Sequence, residues 1–191
     1  MARLREFDTE LAVARAMELF WLRGYEATSV RDLTEALGVG QGSLYAAFGS
    51  KDGLYRAALT RYRETLAADA LASLEESGDA RTVIRAMLLE RVAIATDGAR
   101  GCLLVNAIAE RLPADTATAR AVHETLDASR DALAEVLRAA GKRGEIRTGR
   151  DPVTLAAFLV TFLNGLLVVS KVTPEVRELE PLVEIALSTL D

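Results

Sequence analysis

The sequence predicts an all-α protein of about nine helices, on three observations. Half of its 191 residues are hydrophobic, with alanine and leucine plentiful and only four prolines, a composition that favours helix. Apolar residues recur at three- and four-residue spacing through one segment after another. No alternation of apolar and polar residues persists long enough to suggest a strand.

The first helix begins at Asp8, whose carboxylate can cap it. Leu11, Ala14, Met17, Phe20 and Trp21 form its apolar stripe, and Gly24 stops it. Thr28 and Ser29 open a short second helix. Ser29 and Asp32 have the spacing of a capping box, and Ala36 and Leu37 close the helix against Gly38. Gly38–Gly40 is a tight turn, and Gln41–Phe48 is a third short helix. Gly49 and Ser50 break it, and Ser50 can cap a fourth helix from Lys51 to about Glu76. Leu54, Ala58, Tyr62 and Leu66 line one side of that helix, a rod of about 39 Å at the usual rise per residue.

Ala80–Thr96 is amphipathic and is broken by the run Asp97–Gly101. Cys102–Leu112 is short and apolar and ends at Pro113. Asp115–Ala140 carries Val122, Leu126, Leu133, Val136 and Leu137 as its stripe, followed by a charged, glycine-rich connection, Gly141–Asp151. Pro152 starts a strongly apolar helix that Pro174 ends. Glu175–Leu190 holds the last helix, with Pro181 a point where it can break.

Charge and cysteine content narrow the function classes. The net charge of −5 argues against a chain that coats nucleic acid along its whole length. Residues 1–63 nevertheless carry a net of +1 and the remainder −6, which leaves room for a local DNA contact at the N-terminal end. A single cysteine, Cys102, excludes an intramolecular disulfide and points to a reducing, cytoplasmic setting. The N-terminus has no apolar run of signal-peptide length. The run Val153–Val169 has 17 residues and includes Thr154, Thr161 and Asn164, so a buried helix is expected rather than a membrane span.

The stretch VGQGSLYAAFGSKDGL, Val39–Leu54, could in principle cradle phosphate in an enzyme. A Walker loop needs glycine, lysine and a hydroxyl residue in that order between a strand and a helix, and here the order is Gly49, Ser50, Lys51 with no strand before it. The dinucleotide pattern fails as well, because Tyr45 stands where its third glycine belongs. A helix-turn-helix fits better, with Ser29–Leu37, Gly38–Gly40 and Gln41–Phe48 as its parts in order.

The pattern F-x-x-x-G-Y-x-x-T-S-V-R-D-L-x-x-x-L-G-V-x-x-G-S-L-Y-x-x-F-x-S-K-x-x-L, Phe20–Leu54, resembles the DNA-binding head of the TetR family of bacterial transcriptional regulators. The resemblance implies a head at 1–50 and an effector-binding and dimerisation domain at 51–191, with helix 51–76 linking the two. Thr28, Ser43, Tyr45 and Lys51 match positions that touch the phosphate backbone, with Ser29 beside them at the helix start. Gln41, Gly42, Ala46 and Ala47 fall on the exposed side of the recognition helix. Phe20, Val30, Leu33, Leu37, Leu44 and Phe48 match the core of the head. Small Ala46 and Ala47 shift base readout towards Gln41, thymine methyl contacts and DNA shape. Arg3 and Arg5 suggest a minor-groove arm.

The same resemblance implies a ligand- or stress-responsive repressor that binds a palindromic double-stranded operator as a homodimer. Helices 152–172 and 175–190 would join the subunits, and a small-molecule effector or Cys102 modification would release the DNA. Candidate pocket groups are Arg91, Cys102, Asn106, Arg111, Asn164 and Lys171. Cys102 begins a helix, where a thiol is more readily ionised, and Lys171 is the single charge between Pro152 and Pro174. GCLLVNAIAE also resembles a segment of the electrophile- and oxidant-responsive branch of that family, so the two are expected to lie together. No cofactor is implied. His123 reads as a surface residue, and no histidine or cysteine spacing suits a metal. The alternative is a helical small-molecule-binding protein or an enzyme without DNA readout. A salt-dependent gel shift separates it from the regulator.

Overall fold

The computed structural model describes residues 8–75, 79–147, 149–173 and 175–191. The proposed arm residues Arg3 and Arg5, the Glu76 end of the linking helix and the stop at Pro174 lie outside them. The described residues form α1 (Thr9–Arg23), α2 (Val30–Leu37), α3 (Gln41–Phe48), α4 (Lys51–Glu75), α5 (Ala80–Thr96), α6 (Leu103–Arg111), α7 (Thr116–Arg143), α8 (Pro152–Val169) and α9 (Val176–Leu187). Single 3-10 turns follow α5 and α9, at Asp97–Ala99 and Ser188–Leu190.

Local chemistry sets most of the boundaries. The Asp8 carboxylate accepts from the Leu11 amide at the start of α1, and Gly24 ends that helix at φ 83°. Ser29 and Asp32 form both halves of a capping box on α2. At its end Gly38 turns left-handed, and the amides of Gly38 and Val39 return to Glu35 and Thr34, the pattern of a Schellman stop. Ser50 Oγ then accepts from the Gly53 amide, holding the first turn of α4.

Two hydrophobic clusters hold the chain together. The first gathers Phe20 and Trp21 of α1, Leu33 and Leu37 of α2, Leu44 of α3, and Leu54, Tyr55 and Ala58 of α4, and continues into Leu103, Leu104 and Ala107 of α6. It therefore crosses from head to body without interruption. The second lies between α5, α7, α8 and α9 around Leu88, Leu137, Leu159 and Val183.

Several sequence expectations change in detail. The buried stripe of α1 is Ala12, Ala16, Phe20 and Trp21, while Leu11 is exposed, because small residues let α1 approach α4 closely. Val30 is only half-buried. Helix α7 continues three residues past Ala140 to Arg143, where left-handed Gly144 stops it. Helix α8 ends at Val169 rather than Val172. Helix α9 runs unbroken through Pro181. Proline removes one amide bond there, and packing of Leu179, Val183, Ala186 and Leu187 in the second cluster sustains the helix.

Helix α8 also differs from the buried helix expected. Its 18 residues are long and apolar enough to cross a membrane by length and composition, yet only 28% of them are buried. Leu155, Ala156, Leu159, Leu166 and Leu167 face the core, while Phe158, Val168 and Val169 are exposed, as are Leu182 and Ile185 of α9.

Candidate nucleic-acid interface and effector cavity

Helix α3 presents two contrasting sides. Leu44 is fully buried against the head, Ser43 and Phe48 are half-buried, and Gln41, Gly42, Tyr45, Ala46 and Ala47 face outward. Leu44 anchors the helix, Phe48 packs on the first cluster beside it, and the outward residues present an external surface. The start of α3 is Gly40, without a side-chain cap, so its first amides remain available to an acceptor.

The groups around α3 are positioned unequally. The Lys51 ammonium sits 4.1 Å from the centroid of the Tyr25 ring, held at the first position of α4. Ser29 is exposed, but its hydroxyl is engaged by Asp32 Oδ2 at 2.5 Å. Those contacts from the Ser29 side chain and backbone, with Arg23 nearby, hold the Asp32 carboxyl below its usual range. Thr28 corrects the sequence reading. It is fully buried, and its hydroxyl donates to the Gly24 carbonyl at 2.7 Å, so that oxygen is turned inward, away from any phosphate.

A cavity of about 140 Å³ lies among the body helices α4–α8. Of the six pocket residues expected from sequence, Arg91, Cys102 and Asn164 line it; Asn106, Arg111 and Lys171 do not. Sequence reasoning missed Asp69 and Glu90, although the former lies three residues beyond Leu66 of the apolar stripe on α4.

The three absent residues have other partners. Asn106 donates to the Arg100 carbonyl and accepts from Lys171 Nζ at 3.1 Å. Lys171 is exposed, and its aliphatic stem passes against Gly101. Its ammonium is thus held by Asn106 of α6, while its stem lies beside Gly101, the residue preceding Cys102. The Cys102 thiol is itself buried and accepts from the Tyr62 hydroxyl at 3.3 Å. Burial, with Cys102 adjacent, pushes the Tyr62 hydroxyl far above its ordinary value, so tyrosine remains the donor.

Arg111 belongs to the joint between head and body. Its Nη2 lies 2.5 Å from Asp52 of α4 and 2.7 Å from Asp115, and its guanidinium stacks over the Tyr25 ring at 3.9 Å. The neighbouring Glu110 accepts from the Tyr25 amide at 2.6 Å. At the opposite end of α6, Trp21 Nε1 donates to the Gly101 carbonyl at 2.9 Å, and Arg100 stacks on Trp21 while pairing with Glu18. Both ends of the cavity-lining helix are therefore tied to the head.

Comparisons with known proteins agree with this arrangement. Residues 12–58 match the family model for bacterial regulatory proteins of the tetR family, and residues 81–185 match a tetracyclin repressor-like C-terminal domain. The chain is 34% identical to the uncharacterized HTH-type transcriptional regulator YezE of Bacillus subtilis (strain 168), covering 100% of both. It is also 34% identical to the HTH-type transcriptional repressor ComR of Escherichia coli (strain K12), over 98% of this chain and 90% of that one. Among solved structures, a cysteine-substituted variant of the TetR family transcriptional regulator CifR, complexed with a 26-bp double-strand operator DNA, superposes with a TM-score of 0.87. It is 36% identical, with 100% of each chain covered.

Proposed function

We propose, from the premise that this chain belongs to the TetR family of bacterial regulatory proteins, that it acts in the cytoplasm as a dimeric, effector-released repressor. It is a transcriptional regulator rather than an enzyme. The observation that carries the DNA reading is the outward side of α3, with Gln41, Gly42, Tyr45 and Ala46 exposed over an anchoring Leu44 and with Lys51 beside it. Ser43, Tyr45 and Lys51 meet phosphates in this reading. Gln41 and the methyl groups of Ala46 and Ala47 supply sequence preference. Thr28 and Ser29 contribute the start of α2 and its amides.

The same reading divides the labour along the chain. Residues 1–50 form the reading head, and residues 51–191 bind effector and partner. The exposed apolar side chains of α8 and α9, among them Val168, Val169 and Ile185, suit burial against a second copy. Two-fold symmetry then sets the recognition helices about 34–36 Å apart over a palindromic site. An effector in the α4–α8 cavity would bias α6 and, through its tied ends, the head. Coupling of about 1–3 kcal/mol changes operator affinity about 5- to 150-fold.

Fluorescence anisotropy with DNA from upstream of the protein's own gene tests the reading. Lys51→Ala should weaken all DNA about equally, whereas Gln41→Ala should change preference at particular base pairs by about 1–3 kcal/mol. Unchanged binding in both variants removes the assignment.

A second trigger rests on Cys102, which lines the cavity at the start of α6. Modification of its thiol would displace the Tyr62 hydroxyl and enlarge a buried side chain. Operator release after thiol alkylation should occur in the wild type and not in Cys102→Ser. Equal release in both excludes this trigger.

A further inference from the structure

The cavity's size and its charges select among effectors, an argument that rests on the effector-binding role proposed above. Its wall is mainly apolar, including Leu66, Met87, Leu104, Leu126, Leu163 and Leu167. At about 140 Å³ it is close to the engineered apolar cavity of about 150 Å³ that takes one benzene molecule. A single ring or short chain therefore fits without movement of the wall.

The sign of charge follows from the ionic side chains. Among the described residues of the wall, Arg91 is the single cation, and it is accompanied by Asp69 and Glu90. Arg91 Nη1 lies 3.1 Å from Asp69 Oδ2, with the arginine side chain only 14% exposed. An anionic ligand would have to separate that pair or bring a second negative charge beside Asp69 in half-buried surroundings, which is unfavourable either way.

The neutral polar groups supply direction. Thr125 Oγ1 already accepts from Arg63 at 2.7 Å and donates to the Ala121 carbonyl at 2.8 Å. Asn164 Nδ2 donates to the Val160 carbonyl at 2.8 Å, leaving its carboxamide oxygen to accept from a ligand. We infer that the effector is a compact, largely apolar molecule of about one ring that carries a hydrogen-bond donor and no negative charge, an aryl alcohol or amine rather than an organic acid.

Isothermal titration of the full-length protein with benzyl alcohol, benzylamine and benzoate tests this without using DNA. The alcohol and the amine should bind, and benzoate should bind at least about tenfold more weakly, as expected for an unpaired like charge. Leu126→Trp, which fills the cavity, should weaken the two binding probes about tenfold or more, and Asp69→Asn should improve benzoate binding relative to the wild type. Benzoate equal to or tighter than the alcohol, no binding by any probe, or binding indifferent to Leu126→Trp would each overturn the inference. Operator binding is measured separately by anisotropy. A protein that binds the probes but not DNA loses the regulator reading, and one that binds DNA but no probe loses this inference alone.

Discussion

The ammonium of Lys51 and the guanidinium of Arg111 both stack on the ring of Tyr25, at 4.1 Å and 3.9 Å from its centroid. One cation belongs to the candidate phosphate contact, the other to the helix that walls the effector cavity. Removing the ring should leave Lys51 able to reach DNA but no longer held in place. A cation–π contact of about 0.5–1 kcal/mol corresponds to roughly two- to fivefold in affinity. Tyr25→Leu is therefore expected to weaken operator binding by that factor with an unchanged salt slope, whereas Lys51→Ala lowers the slope by about one. Anisotropy titrations at several salt concentrations separate the two.

Gly24 carries a stronger constraint. Its φ of 83° is unfavourable for any other L residue, and a Cβ there would collide with the Glu110 carboxylate that accepts from the Tyr25 amide. With ψ at 168° this is a backbone region essentially confined to glycine, and another residue there costs about 1–3 kcal/mol. Gly24→Ala should lower the midpoint of thermal unfolding by about 2–12 °C, from roughly 2–4 °C per kcal/mol for a chain of this size. Adding Glu110→Ala should relieve the collision but not the backbone strain, so calorimetry should show partial recovery.

The Asp115 carboxylate accepts from Arg111, from the Thr118 hydroxyl and from the amides of Ala117 and Thr118. Burial would raise its pKa, but the Arg111 and Thr118 contacts outweigh that and hold it well below the usual range. A folded value below the unfolded one of about 3.9 means the stabilisation is complete above that pH and is lost as the pH falls towards the folded value. Asp115→Asn keeps a cap acceptor for α7 and removes the charge. It should cost about 1–3 kcal/mol at neutral pH. Urea titrations should find that difference shrinking below about pH 4.

Ile185 is 67% exposed, and Val168 is 53% exposed. A charge placed in an interface core disfavours association strongly, while one on an open surface is nearly neutral. Ile185→Glu should shift a dimer to monomer in sedimentation velocity while leaving the helical circular dichroism signal unchanged, and operator affinity should fall with it.

Much of this arrangement is legible in local sequence. The bounds Gln41–Phe48 and Ala80–Thr96 follow from glycines and caps, and the caps at Asp8 and Ser29 act as their residue types predict. What escaped depends on partners far apart in the chain. Nothing around Tyr25 announces Glu110, 85 residues away, and nothing around Asp52 announces Arg111. Thr28 has the residue type of a phosphate contact, and only the turn at Gly24 directs its hydroxyl inward. Arg111, likewise, is a polar group on a helix where the family resemblance implies a pocket, while its two carboxylate partners place it at the joint.

The continuous first cluster has a practical consequence for anyone building hybrid regulators. Leu54, Tyr55 and Ala58 of α4 complete the packing under α1 and α3, and Leu103, Leu104 and Ala107 of α6 close it from the other side. A graft cut between residues 50 and 51 would strip the transplanted reading unit of its floor. An exchange that carries α4 through Leu59 and matches the facing side of α6 would move the unit with its own foundations, and new operator preferences could then be joined to an existing sensor.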